Sequence, residues 1–158
     1  MYIYICTVKL EQAIKSTKFK SEVQKAGLNV LYTAWWIKTL IVKELKDFDI
    51  TQEQYNVLRI LKGKHPELMC VKDIASRMIE KSSNVPRIVD RLELKNLIVR
   101  TQGEIDGRQT VITLTQKGIN TLEIATEKLN QVWENSITMD NEDALTLNEL
   151  LEKFRIRE

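Results

Sequence analysis

The sequence predicts a mainly α-helical fold with one small β-hairpin near two-thirds of its length. Three observations carry this. Apolar residues recur at helical spacing over most of the chain. Residues 97–102 (LIVRTQ) and 109–115 (QTVITLT) are rich in Leu, Ile, Val and Thr and suit a pleated, partly buried surface. Gly103, Asp106 and Gly107 supply turn chemistry between them. With 158 residues, 43% hydrophobic and 29% charged, the chain has the composition of a soluble globular protein with one core.

Residues 1–15 form an N-terminal extension whose structure the sequence leaves open, as an extra strand or a disordered tail. MYIYICTVKL lacks a basic n-region and soon meets Lys9 and Glu11, so no signal peptide is expected. Residues 16–47 predict one long helix, in which Leu28, Leu31, Tyr32, Ala34, Trp35, Trp36, Ile37, Leu40 and Ile41 cover more than a single stripe. Its apolar run, LYTAWWIKTLIV (31–42), carries Lys38 and is too short to span a membrane. A cytoplasmic protein is expected. Cys6 and Cys70 then give no disulfide framework.

Punctuation is clear from 50 to 115. Thr51 followed by Gln54 is a capping-box pattern, with Ile50 and Tyr55 placed to staple across it, so a helix over 52–62 should stop near Gly63. Residues 71–78 (VKDIASRM) predict a short helix with Ile74, Ala75 and Met78 on one side. A turn at 79–82 follows. Pro86 lacks an N–H and belongs in a first helical turn, which puts the cap of the next helix at Ser83 or its neighbour. Val85, Ile88, Val89 and Leu92 then form one stripe, while Ser83, Arg87 and Arg91 fall on the other side. Asn96 is placed to end that helix in the left-handed conformation.

Helix, short helix, turn, helix and two-stranded ribbon make a winged helix-turn-helix over 50–115. The free face with Arg87 and Arg91 would meet the major groove of double-stranded DNA, and Arg108 at the ribbon tip the adjacent minor groove, with Asp106 orienting it. The net charge of +2 does not identify a nucleic-acid binder by itself, so position carries this reading. The alternative is a winged-helix protein-interaction module without specific DNA binding.

Beyond the ribbon, Thr115 precedes a helix over 116–136 with Ile119, Leu122, Leu129, Val132 and Trp133 at helical spacing. Asp140 and Asp143 open a last helix carrying Ala144, Leu147, Leu150, Leu151 and Phe154. The flanking segments, 16–47 and 116–158, expose more apolar surface than the winged domain can cover, and a homodimer built on long N- and C-terminal dimerisation helices is the expectation.

Nothing supports an enzyme, a cofactor or a metal. HExxH, CxxC, GxSxG and GxGxxG are absent from the chain. The pair Gly63–Lys64 lacks the glycine a phosphate loop needs five residues earlier, where Leu58 stands. The single histidine, His65, precedes Pro66 and reads as a solvent-facing loop residue.

From about residue 20 to its end the chain resembles the MarR family of bacterial transcriptional regulators. The matching stretches are SSNVPRIVDRLELKNLI, the D-x-R wing signature in IDGRQ, and LTQKG after the wing. The resemblance implies a dimeric winged-helix regulator, generally a repressor, acting on an inverted-repeat operator. It implies that Ser83, Asn84 and Arg87 contact bases and phosphates, that Arg108 acts in the wing, and that Asp106 supports it. Two features depart from the family pattern: Pro86 in the recognition helix, and a single arginine after Asp106 where many members have two. Members often sense small aromatic compounds in a crevice between the dimer helices and the winged domain, where Tyr32, Trp35 and Trp36 are candidates. Some sense oxidants through a cysteine, for which Cys70, just before a helix, is the candidate.

Overall fold

The computed structural model describes residues 8–81, 83–103 and 110–156. Its helices are α1 (Leu10–Ala13), α2 (Glu22–Leu45), α3 (Gln52–Lys62), α4 (Val71–Arg77), α5 (Val85–Leu94), α6 (Gln116–Ser136) and α7 (Asn141–Phe154). The strands are β1 (Met69–Cys70), β2 (Ile98–Gln102) and β3 (Thr110–Leu114), all antiparallel in the order β1-β3-β2. A mainly helical chain with a small sheet is what the sequence predicts.

Elements of the central segment begin and end where local chemistry dictates. Thr51 Oγ1 accepts from the Gln54 N–H at 3.2 Å while Gln54 Oε1 accepts from the Thr51 N–H at 3.1 Å, so the capping box forms and α3 starts at Gln52. Ile50 and Tyr55 are both buried across it. At the far end of α5, Asn96 takes φ 57°. The Leu97 N–H then reaches Leu92 O at 3.0 Å and the Asn96 N–H reaches Glu93 O at 2.8 Å, the paired bonds of a Schellman stop. Leu92 and Leu97 are buried together beneath it.

The core gathers Val57, Leu58 and Leu61 of α3, Ile74 of α4, Val85, Val89 and Leu92 of α5 and Ile112 of β3, all essentially inaccessible. Leu122, Ala125 and Leu129 close it from α6. The β2–β3 register pairs Ile98 with Leu114 and Gln102 with Thr110. Residues 104–109, and with them Asp106, Gly107 and Arg108, lie outside the described residues, as does Ser82.

Gly118, in the LTQKG stretch, is required by a close approach. A Cβ built there would lie 1.9 Å from the Leu97 carbonyl oxygen. The Thr115 N–H bonds that same oxygen at 3.1 Å and Thr115 Oγ1 donates to Asn96 O at 2.7 Å, so the start of α6 is seated on the turn after α5.

Three expectations change. The long helix starts at Glu22, not 16, because Ser21 Oγ accepts from the Gln24 N–H at 3.1 Å and caps it; it ends at Leu45, followed by a short 3-10 turn, Lys46–Phe48. Part of the N-terminal extension is helical: α1 buries Leu10, and Glu11 pairs with Lys25 at 2.6 Å. A third strand, β1, joins the sheet by pairing Met69 with Ile112 and Cys70 with Val111.

Candidate nucleic-acid interface

Helix α5 presents two chemically distinct faces. Val85, Val89 and Leu92 are buried, whereas Arg87 and Arg91 are exposed. Asn84 rather than Ser83 caps it, accepting from the Arg87 N–H at 3.3 Å, and Pro86 sits in the first turn where no intrahelical donor is lost. Ser83 is half-buried, and its Oγ finds no partner among the described residues. Ser83, Asn84, Arg87 and Arg91 line one open concavity between the starts of α3 and α5. The structure thus brings together four of the six residues expected to meet DNA. The other two, Asp106 and Arg108, lie outside the described residues.

Arg100 is a residue the sequence reading passed over. It lies on β2 and its guanidinium reaches both Asp90 Oδ1 at 2.5 Å and Glu93 Oε2 at 2.6 Å on α5. The Asp90 bond, and Glu93 beside it, hold the guanidinium above its ordinary pKa although burial opposes this. Strand alternation was the available signal, since Arg100 shares its face with Ile98 and an inward-pointing charge needs partners.

A crevice of about 350 Å³ opens between α2, α3, the segment after α4, and α6. Its wall includes Tyr55, Arg59, Met78, Leu129 and Trp133. Tyr55 Oη lies 3.0 Å from Thr126 Oγ1, and the Arg59 guanidinium stands over the Tyr55 ring at 6.0 Å. Beside it, Lys38 of α2 reaches Glu80 at 3.1 Å and Glu53 at 3.6 Å, joining α2 to the helix-turn-helix. The Glu80 bond raises the Lys38 pKa. Burial works against ionisation of Glu53, but its own backbone N–H, the Thr51 hydroxyl and Lys38 together hold its carboxyl below the ordinary value.

Tyr32, Trp35 and Trp36 do not line this crevice. Tyr32 and Trp35 pack on each other with centroids 5.5 Å apart, and Trp35 is 58% exposed. The crevice draws its aromatic residues, Tyr55 and Trp133, from α3 and α6 instead, and α2 contributes Ile41 to its wall. Cys70 is half-buried; its thiol donates to Asp73 Oδ2 at 3.0 Å, and this bond, first among several, lowers the Asp73 pKa. A thiolate at Cys70 would therefore face a carboxylate, not only the start of α4. His65 is exposed, as expected.

A winged helix-turn-helix with an arginine-bearing free helix face defines a DNA-binding protein of the transcription-regulator class. The sequence profile of the MarR family matches residues 50–110. The transcriptional regulator SarZ of Staphylococcus saprophyticus is 31% identical over 110 residues, covering 70% of this chain and 73% of SarZ. The transcriptional repressor MdtR of Bacillus subtilis is 40% identical over 82 residues, about half of either chain at 52% each. The structure of MepR from S. aureus in complex with DNA shares the fold, with a TM-score of 0.71 at 24% identity over 80% of this chain and 91% of that one. The chain belongs to the MarR family of transcriptional regulators. Among the described residues no helix is long and apolar enough to cross a membrane.

Proposed function

We propose that the protein is a homodimeric repressor that binds an inverted-repeat operator and releases it when a small aromatic molecule occupies the crevice. The observation that carries the reading is the free face of α5, where Arg87 and Arg91 are exposed on a helix whose opposite face is fully packed. Residues 50–115 would be the DNA-binding domain, with Ser83, Asn84, Arg87 and Arg91 meeting the major groove, and Arg108, oriented by Asp106, the minor groove. Residues 16–47 and 116–158 would be the dimerisation region. Exposed Leu31, Trp35, Leu145 and Leu150 on α2 and α7 support a second copy. A two-fold dimer would set its recognition helices roughly 34 Å apart, one turn of B-DNA. MdtR, a relative, is a repressor. The crevice supports effector control because its walls come from both α2 and the helix-turn-helix, so a molecule wedged there would shift one against the other.

Selection of bound duplexes from a random library tests the proposal, with Arg108→Ala and the surface control Lys128→Ala alongside. An enriched inverted repeat is expected. Arg108→Ala should weaken binding and reduce the salt slope by about one, whereas Lys128→Ala should not. Equal slopes would remove the role given to Arg108. No enrichment, with only salt-sensitive background binding, would favour the protein-interaction module.

A further inference from the structure

The recognition helix carries an acid on the face expected to meet DNA. At 100° per residue Asp90 lies on the outer side of α5, about 60° around the helix from Arg87 and about 100° from Arg91, and its side chain is 60% exposed. Glu93, one turn further on, flanks the same side and is 40% exposed. Carboxylates so placed repel the phosphates of a duplex, and the low effective dielectric of a closing interface strengthens that repulsion. Both are met by a single group, the guanidinium of Arg100, which gives one nitrogen to each. Arg100 itself is only 27% exposed, reaching α5 from the inward face of β2 opposite the fully buried Ile112.

A stabilising role alone is a weak account of this fork. Ion pairs whose carboxylates are this exposed contribute little to folding stability. The same charges matter much more to a polyanionic partner, because without Arg100 the outer side of α5 would carry two uncompensated negative charges beside its two arginines.

We propose that Arg100 is a positioning residue for DNA binding, which acts by neutralising Asp90 and Glu93 on the recognition helix and not by touching the duplex. The inference rests on the reading of the outer face of α5 as the DNA-contacting surface.

The test uses the full chain and a duplex that the wild-type protein has itself enriched from a random library, with affinity read by fluorescence anisotropy between about 50 and 200 mM salt. Arg100→Met should bind about tenfold more weakly at the low-salt end, with a flatter salt dependence, because the exposed carboxylates repel most when least screened. Adding Asp90→Asn and Glu93→Gln to Arg100→Met should bring affinity back to within about threefold of wild type and restore the slope. Thermal melts of the same variants should nearly coincide with wild type. A triple variant as weak as Arg100→Met would overturn the proposal, since Arg100 would then contact the duplex or act only as a strut. Wild-type affinity for Arg100→Met would overturn it as well. Should Arg100→Met not melt cooperatively, Arg100→Lys decides: it keeps the charge without the fork and should bind within about threefold of wild type, and a larger loss counts against the proposal. A wild-type chain that enriches no duplex would instead remove the DNA-binding reading, and this inference with it, which no variant result can mimic.

Discussion

The short helix α3 and the long helix α2 divide the work of the fold unequally. Eleven residues of α3 bury five side chains, Gln54, Tyr55, Val57, Leu58 and Leu61. The 24 residues of α2 bury only Leu45, and α7 buries none of its 14. Yet α2 and α7 are not polar helices, for Leu31, Trp35, Leu145 and Leu150 all stand exposed on them. The winged segment therefore packs most of its apolar residues within one chain, with Ile79 and Leu94 left exposed, whereas the outer helices leave most of theirs in water. Such surface, with each leucine worth about 2 kcal/mol on burial, is what a second copy would cover.

Paired substitutions sharpen this contrast, the largest effect first. Leu58→Asp places an unpartnered charge at a site with no solvent access and should unfold the chain, costing more than about 4 kcal/mol; circular dichroism reads the loss. The same change at Leu150 should leave the helical signal in place and halve the mass seen by sedimentation. If Leu150→Asp left the mass unchanged, α7 would not be part of the interface.

Gly118→Ala tests the seam between the two regions. The added methyl would collide with the Leu97 carbonyl, a backbone atom fixed by the Schellman stop and by Thr115, so the start of α6 must lift. A loss of about 3 kcal/mol in urea titration is expected, and a loss under about 1 kcal/mol would mean that the seam yields easily.

The smallest effects come from helix caps. Thr51→Ala removes one arm of the capping box on α3 and should cost about 1 kcal/mol at any protein concentration, because α3 is held within the chain. Asp140 caps α7 in the same way, accepting from the Asp143 N–H at 2.9 Å. Asp140→Ala should lower stability only where the assembly contributes, so its cost should change between dilute and concentrated protein. Concentration-independent losses for both would contradict the division drawn between the regions.

What the sequence determined by itself was local. Thr51 with Gln54 set the start of α3, Asn96 the end of α5, Thr115 and Asp140 the starts of α6 and α7, and Leu, Ile, Val and Thr content the two ribbon strands; each signal acts within a few residues, so chain order suffices to find it. The start of α2 is legible too, in Ser21 followed by Gln24, whereas the apolar residues that mark this helix begin only at Leu28 and leave its first turns undefined. The two-faced character of α5, and with it Arg87 and Arg91, also follows from spacing alone. Tertiary structure decided the rest. Strand β1 is two residues long and exists because β3 offers it an edge. The crevice takes Tyr55 and Trp133 instead of Tyr32, Trp35 and Trp36, because helix crossing, not aromatic content, determines which side chains converge. Arg100 meets Asp90 and Glu93 only once β2 folds back along α5. Contacts between separate elements depend on how those elements pack, and a one-dimensional pattern specifies each face without specifying what it will meet.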